Sequence, residues 1–252
     1  MRHRAALAAA LLALALSACG DEEGESAAKP RLVVSAAASM TDALTACSAD
    51  FANADVKLSF AGSDELAAQI REGVAPDVYA AANTRLPGEL HADGLLGRPV
   101  EFATNELVLA VPKDSEIDSV ADLTANGVTI AIGSESVPIG SYTREALARL
   151  PGDRSEAILA NVRSNEPDVK GIVGKLTQGA VDAGFVYITD VNAAGGELEA
   201  IHLPAAVQPL ATYAAGLVTK APHREQAQAY LHGLREGECA DALRHAGFGA
   251  AP

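Results

Sequence analysis

From residue 32 onward, short β-branched or aliphatic runs alternate with amphipathic stretches, and this alternation restricts the chain to an α/β fold with mainly parallel sheets. Strands are expected at 32–35, 56–60, 78–80, 107–111, 129–132, 183–186 and 214–219. Helices are expected at 41–52, 64–71, 141–150, 168–177 and 224–235. The length beyond residue 18 suits two lobes of roughly 100 residues each better than one. No internal repeat, low-complexity tract or later membrane span breaks the pattern.

Charge narrows the partners. With 19 basic and 33 acidic residues the net charge is −14, a sign that repels nucleic-acid backbones and anionic headgroups. Nucleic-acid binding is therefore not expected. Only 4% of residues are aromatic and none is Trp, so the interior must pack small aliphatic side chains, and stacking platforms are disfavoured.

Residues 1–18 carry Arg2, His3 and Arg4 before an apolar run from Ala5 to Leu16 that is too short to span a bilayer, and they are expected to be a secretory signal. Leu16-Ser17-Ala18-Cys19 looks like a bacterial lipoprotein cleavage box, with Cys19 as the lipidated first residue; an ordinary signal with a stray Cys is the alternative. The chain is thus expected to be exported and held by its lipid on the outer side of the cytoplasmic membrane. Residues 19–30, with Asp21, Glu22, Glu23 and Glu25 among small residues, should form a flexible acidic tether. Cys47 and Cys239, placed on the first and last expected helices, are either paired or separate buried thiols.

Small or hydroxyl residues precede four helix starts: Ala36 to Ser39, Ala61 to Ser63, Val137 to Gly140, and Ser164 to Pro167. Unpaired N–H groups and the helix dipole favour an anion at such places. The plainer account makes Ser39, Ser63 and Asn165 N-caps only. Several such turns gain weight together because strand ends in α/β folds converge on one crevice. The six histidines show no metal-ligand spacing. No nucleophile elbow, Walker loop or dinucleotide fingerprint is present, which favours binding over catalysis.

The run Val33-Val34-Ser35-Ala36-Ala37-Ala38-Ser39-Met40-Thr41-Asp42-Ala43-Leu44 resembles the opening of the periplasmic molybdate-binding proteins of ABC importers. Phe60-Ala61-Gly62-Ser63-Asp64-Glu65-Leu66, Ala75-Pro76-Asp77-Val78-Tyr79, Phe102-Ala103-Thr104-Asn105-Glu106-Leu107, Ser136-Val137-Pro138-Ile139-Gly140-Ser141-Tyr142 and Asp182-Ala183-Gly184-Phe185-Val186-Tyr187-Ile188-Thr189-Asp190 follow in the family's order. The resemblance implies a two-lobe type II periplasmic-binding-protein fold with a hinge of crossing strands near 104–107 and 213–217. Lobe I would comprise 31–104 and 218–252, and lobe II 105–217. The return of the C-terminal helices to lobe I would bring Cys47 and Cys239 together.

The same resemblance implies a monomeric receptor that needs no cofactor or metal, is not an enzyme, and delivers molybdate, and tungstate too, to an ABC permease and its ATPase subunits. Carried over by position, Ser39 and Ser63 would bind through hydroxyl and backbone donors, Ile139 and Val169 through backbone N–H groups, and Tyr187 through its phenol. Aimed neutral dipoles can hold a dianion without a counter-cation. Two positions depart from the family. Ile139 is bulkier than usual and could narrow the cleft. Asp64 stands where a second Ser is common, and an inward carboxylate would disfavour a full dianion while accepting the proton of hydrogen phosphate. A receptor for sulfate or phosphate is the alternative; a hydrolase using Ser39 or Ser63, or a structural envelope lipoprotein, stands further off.

Overall fold

The structure, a computed structural model, describes residues 29–252. The expected signal segment, the lipidation at Cys19 and the tether up to residue 28 lie outside the described residues. In chain order the first elements are β1 (Arg31–Ala37), a 3₁₀ turn (Ala38–Met40), α1 (Thr41–Ala49), β2 (Asp55–Ala61), α2 (Ser63–Arg71), β3 (Val78–Ala81), α3 (Arg85–Ala92) and β4 (Val100–Asn105). Next come β5 (Leu107–Pro112), β6 (Ile130–Gly133), α4 (Pro138–Ala148), α5 (Arg154–Ala160), β7 (Val162–Glu166), α6 (Val169–Thr177), β8 (Ala183–Tyr187), α7 (Ile188–Ala193) and β9 (Leu198–His202). The chain closes with β10 (Ala211–Leu217), α8 (Arg224–Glu236), α9 (Glu238–Ala246) and β11 (Gly249–Ala250).

Two sheets result, one per lobe. Lobe I holds the order β11-β4-β10-β3-β1-β2 and lobe II the order β7-β6-β8-β5-β9. Both are mixed. In lobe I, β1 pairs parallel with β2 and β3, and in lobe II β6 pairs parallel with β7 and β8, as βα crossovers require. The strands at the crossings add the antiparallel pairings, β10 with β3 and β4, and β5 with β8 and β9. Edge strand β2 shows period-2 alternation, with Asp55, Lys57 and Ser59 exposed and Val56, Leu58 and Phe60 half-buried. Central strands β3 and β10 are buried throughout, and their Ala-rich sequences let helices pack close on both faces.

The first crossing is a single residue, Glu106, between β4 in lobe I and β5 in lobe II. The second differs from expectation. Residues 213–217 lie within β10, which is hydrogen-bonded on both sides inside the lobe I sheet, so the return occurs between β9 and β10. A division at 217 would split β10 from its own sheet. Strands β4, β7, β9 and β11 and helices α3, α5, α7 and α9 are not among the expected elements.

Cys239 lies on α9, beyond the last expected helix, and is joined to Cys47 of α1 by a disulfide. This closes a sequence separation of 192 residues and ties the C-terminal helices to lobe I. A loop of that size corresponds to about 5 kcal/mol in the chain-entropy account.

Candidate anion-binding cleft

Where the lobes meet, a cleft is lined by Ser39, Ser63, Ile139, Val169 and Tyr187 together with Gly62, Ala82, Pro138 and Asp168 among others. All the residues that the resemblance singles out for ligand contact therefore line one place. They arrive on the 3₁₀ turn before α1, on the first residues of α2, α4 and α6, and at the end of β8. The opening N–H groups of a helix have no partner within it. Four helix starts thus direct their positive ends at the cleft. No lysine, arginine or histidine is among the cleft residues.

The capping account fails for the three residues it named. Ser63 is the first residue of α2 and Gly62 its cap, and neither that cap nor the one before the 3₁₀ turn uses a side-chain hydrogen bond. At α6 the cap is Asp168, whose carboxylate accepts from Gly171 N–H at 3.0 Å, while Asn165 accepts from Arg144 at 3.2 Å. The serine hydroxyls are held otherwise. Ser63 Oγ accepts from Ala82 N–H at 3.1 Å, which leaves its own proton to be donated, and the Ser63 carbonyl accepts from the buried Tyr79 hydroxyl at 2.7 Å. Ser39 Oγ lies 2.9 Å from the Tyr213 hydroxyl, and Asn105 Nδ2 donates to that same hydroxyl at 3.4 Å. With Tyr213 donating to Ser39, the relay from Asn105 leaves the Ser39 proton available to the cleft.

Tyr187 differs from both serines. Its hydroxyl is buried and has no hydrogen-bond partner among the described residues. Such an atom costs about 1–3 kcal/mol unless something accepts from it. Its ring packs edge-on against Tyr213, centroids 5.9 Å apart, and Tyr213 packs in turn on Phe102 and Phe248. Four of the ten aromatic residues thus cluster at the cleft. Burial pushes the Tyr187 and Tyr213 phenols well above their ordinary values, so both remain protonated donors at neutral pH.

Glycine sets the closeness of the walls at two points. A Cβ on Gly62 would lie 2.4 Å from the Pro167 carbonyl oxygen, so the lobe I turn touches lobe II only because no side chain intervenes. A Cβ on Gly133 would meet Ile139 Cγ2 at 2.6 Å. The sec-butyl side chain of Ile139 thus places its Cγ2 in space that Gly133 leaves empty. Asp64 is not among the residues that line the cleft; its Oδ1 is buried beside Gly62 with no hydrogen-bond partner among the described residues. The carboxylate at the cleft is Asp168, already engaged as a cap. Neither Asp168 nor the glycine contacts were foreseen from the sequence, although the order Gly62-Ser63 at a helix start was visible in it.

No histidine or carboxylate is hydrogen-bonded to Ser39 or Ser63 among the described residues, so neither serine has the base that a nucleophile needs. What the arrangement can do is hold an anion with neutral donors from both lobes.

Residues 32–249 match the family described as bacterial extracellular solute-binding protein. Over 227 residues the chain is 33% identical to the molybdate-binding protein ModA of Mycobacterium tuberculosis, with 85% of each chain covered. Against ModA of Escherichia coli it is 29% identical over 236 residues, covering 86% of this chain and 88% of that one. Its fold is similar to the periplasmic molybdate-binding protein of Azotobacter vinelandii, with a TM-score of 0.78 at 19% identity, covering 88% of this chain and 100% of that chain. On sequence and fold together, the chain belongs to the bacterial extracellular solute-binding proteins.

Proposed function

We propose that this protein is an extracytoplasmic receptor that captures molybdate, and tungstate with it, between its lobes and delivers it to an ABC importer. The observation that carries this reading is the convergence of two serine hydroxyls, four helix starts and the unpartnered Tyr187 hydroxyl on one cation-free cleft. A fully deprotonated tetrahedral dianion accepts from every side, and such a site offers donors from every side. The named relatives from Mycobacterium tuberculosis and Escherichia coli support molybdate as the dianion.

In this reading Ser39 and Ser63 donate through their hydroxyls, Ile139 and Val169 through main-chain N–H groups, and Tyr187 through its phenol. Hydrogen phosphate is disfavoured because its proton would need an acceptor, and every ligand contact in this reading is a donor. The working cycle is hinge closure about the strand crossings, with the anion bound more tightly in the closed state. No bond is made or broken. Each lobe is built on one sheet, with β10 in lobe I. A lipid on Cys19 and the tether of residues 19–30 would keep a monomeric receptor close to its permease and ATPase subunits.

Isothermal titration of the protein with molybdate, tungstate, sulfate and phosphate tests the reading. One-to-one binding of molybdate and tungstate, with sulfate and phosphate much weaker, is expected. Preference for sulfate or phosphate, or heat from none of the four, would overturn it.

A further inference from the structure

We propose that Lys170 is a latch between the lobes: anchored on the buried Asp190 of lobe II, its ammonium closes on Asp42 of lobe I when the cleft shuts, and this pairing slows release of the bound anion. The inference rests on the reading of the cleft as a hinged anion receptor. Lys170 Nζ lies 3.1 Å from Asp42 Oδ2 and 3.5 Å from Asp190 Oδ1. Asp42 is in the first turn of α1, Lys170 in the first turn of α6, and Asp190 in the first turn of α7.

The roles of the two carboxylates differ. Asp190 is buried, accepts from Tyr187 N–H at 3.3 Å and belongs to the same lobe as Lys170, so that contact survives opening. Asp42 is exposed, sits on the other lobe, and has no other ion partner among the described residues. Opening therefore breaks only the Asp42 contact. Burial lowers the affinity of Lys170 for its proton, but the two carboxylates outweigh that, and the side chain stays charged.

Position gives the latch its leverage. Lys170 directly follows Val169, and Asp42 lies three residues beyond Ser39, so the pair joins the two helix starts that face each other across the cleft. None of Lys170, Asp42 and Asp190 lines the cleft. The pair thus acts on closure and not by touching the anion, which makes Lys170 and Asp42 positioning residues. A partly exposed pair is worth only a few-fold, a magnitude suited to tuning release.

Asp42 is the residue to change, because removing Lys170 would strand the buried Asp190. Release of radiolabelled molybdate chased by unlabelled molybdate should quicken about threefold in Asp42→Asn and about tenfold in Asp42→Lys, and Asp42→Glu should restore the slow rate. Release is the readout because an added lysine also speeds anion capture. In parallel, spin labels on Glu72→Cys and Glu156→Cys report the interlobe distance, which should lengthen in Asp42→Lys while the melting temperature of the free protein holds. Unchanged release and an unchanged distance distribution in Asp42→Lys would overturn the latch. If the wild type captures no molybdate, the molybdate reading fails, and the distance alone decides the latch: longer supports it, identical overturns it.

Discussion

The two walls of the cleft present the same kind of group, a donor without formal charge, by different means. On the lobe I wall the side chain matters: Ser39 and Ser63 offer hydroxyls aimed by Tyr213 and Ala82. On the lobe II wall the main chain matters: Ile139 and Val169 stand at the starts of α4 and α6, where the path of the backbone decides what faces the ligand. Tyr187 is the exception, a lobe II side-chain donor. The contrast teaches that substitution should be costly on one wall and nearly free on the other, although both would supply donors to the anion.

The largest effect is expected where the walls touch. Gly62→Val puts a side chain against Pro167 and should weaken molybdate binding by roughly 100-fold or more by holding the cleft open, while the melting temperature of the free protein shifts little. Calorimetry with thermal melting separates the two. On the lobe I wall, Ser63→Ala removes a hydrogen bond to a charged ligand, a loss of about 1.5–3 kcal/mol, or roughly 10- to 100-fold in Kd. Tyr187→Phe comes next, with about tenfold weaker binding, yet the free protein should be no less stable, since the deleted hydroxyl has no partner to lose.

Ile139→Ala sharpens the contrast from the other side. Its main-chain donor is untouched, so Kd should stay within about threefold, while the vacated volume against Gly133 lowers stability by about 2–5 kcal/mol. A large loss of affinity with unchanged stability would break the distinction between the walls.

The smallest effect on binding belongs to Asp190, which registers in stability. Burial pushes its carboxyl up to about 7, with Lys170 opposing. A folded-state pKa above the unfolded one means that the folded state holds the extra proton, so this group's contribution to stability falls as pH rises from about 4 to about 7. Relative to wild type, Asp190→Asn should therefore gain stability across that interval and then level off above it, as followed by denaturant unfolding.

The sequence made the lobe I wall far more legible than the lobe II wall. Ser39 and Ser63 stand out because a hydroxyl beside a helix start is a residue-level signal. A backbone donor carries no such signal, and Ile139 and Val169 were reached only through family resemblance. The role of Gly62 is invisible without the fold, because it depends on Pro167 in the other lobe. Strand β7, Val-Arg-Ser-Asn-Glu, gives no strand signal because it is a polar edge strand with one strong β-former. Helix α7 is too short to show a period. Strand β10 begins three residues earlier than expected, at Ala211.

The most direct test is a crystal structure of the molybdate complex. It should show the anion enclosed between the lobes, within hydrogen-bond distance of the Ser39, Ser63 and Tyr187 hydroxyls and of the Ile139 and Val169 main-chain N–H groups, with no cationic side chain in contact. An anion bound outside this cleft, or one held by a lysine or arginine, would contradict the account.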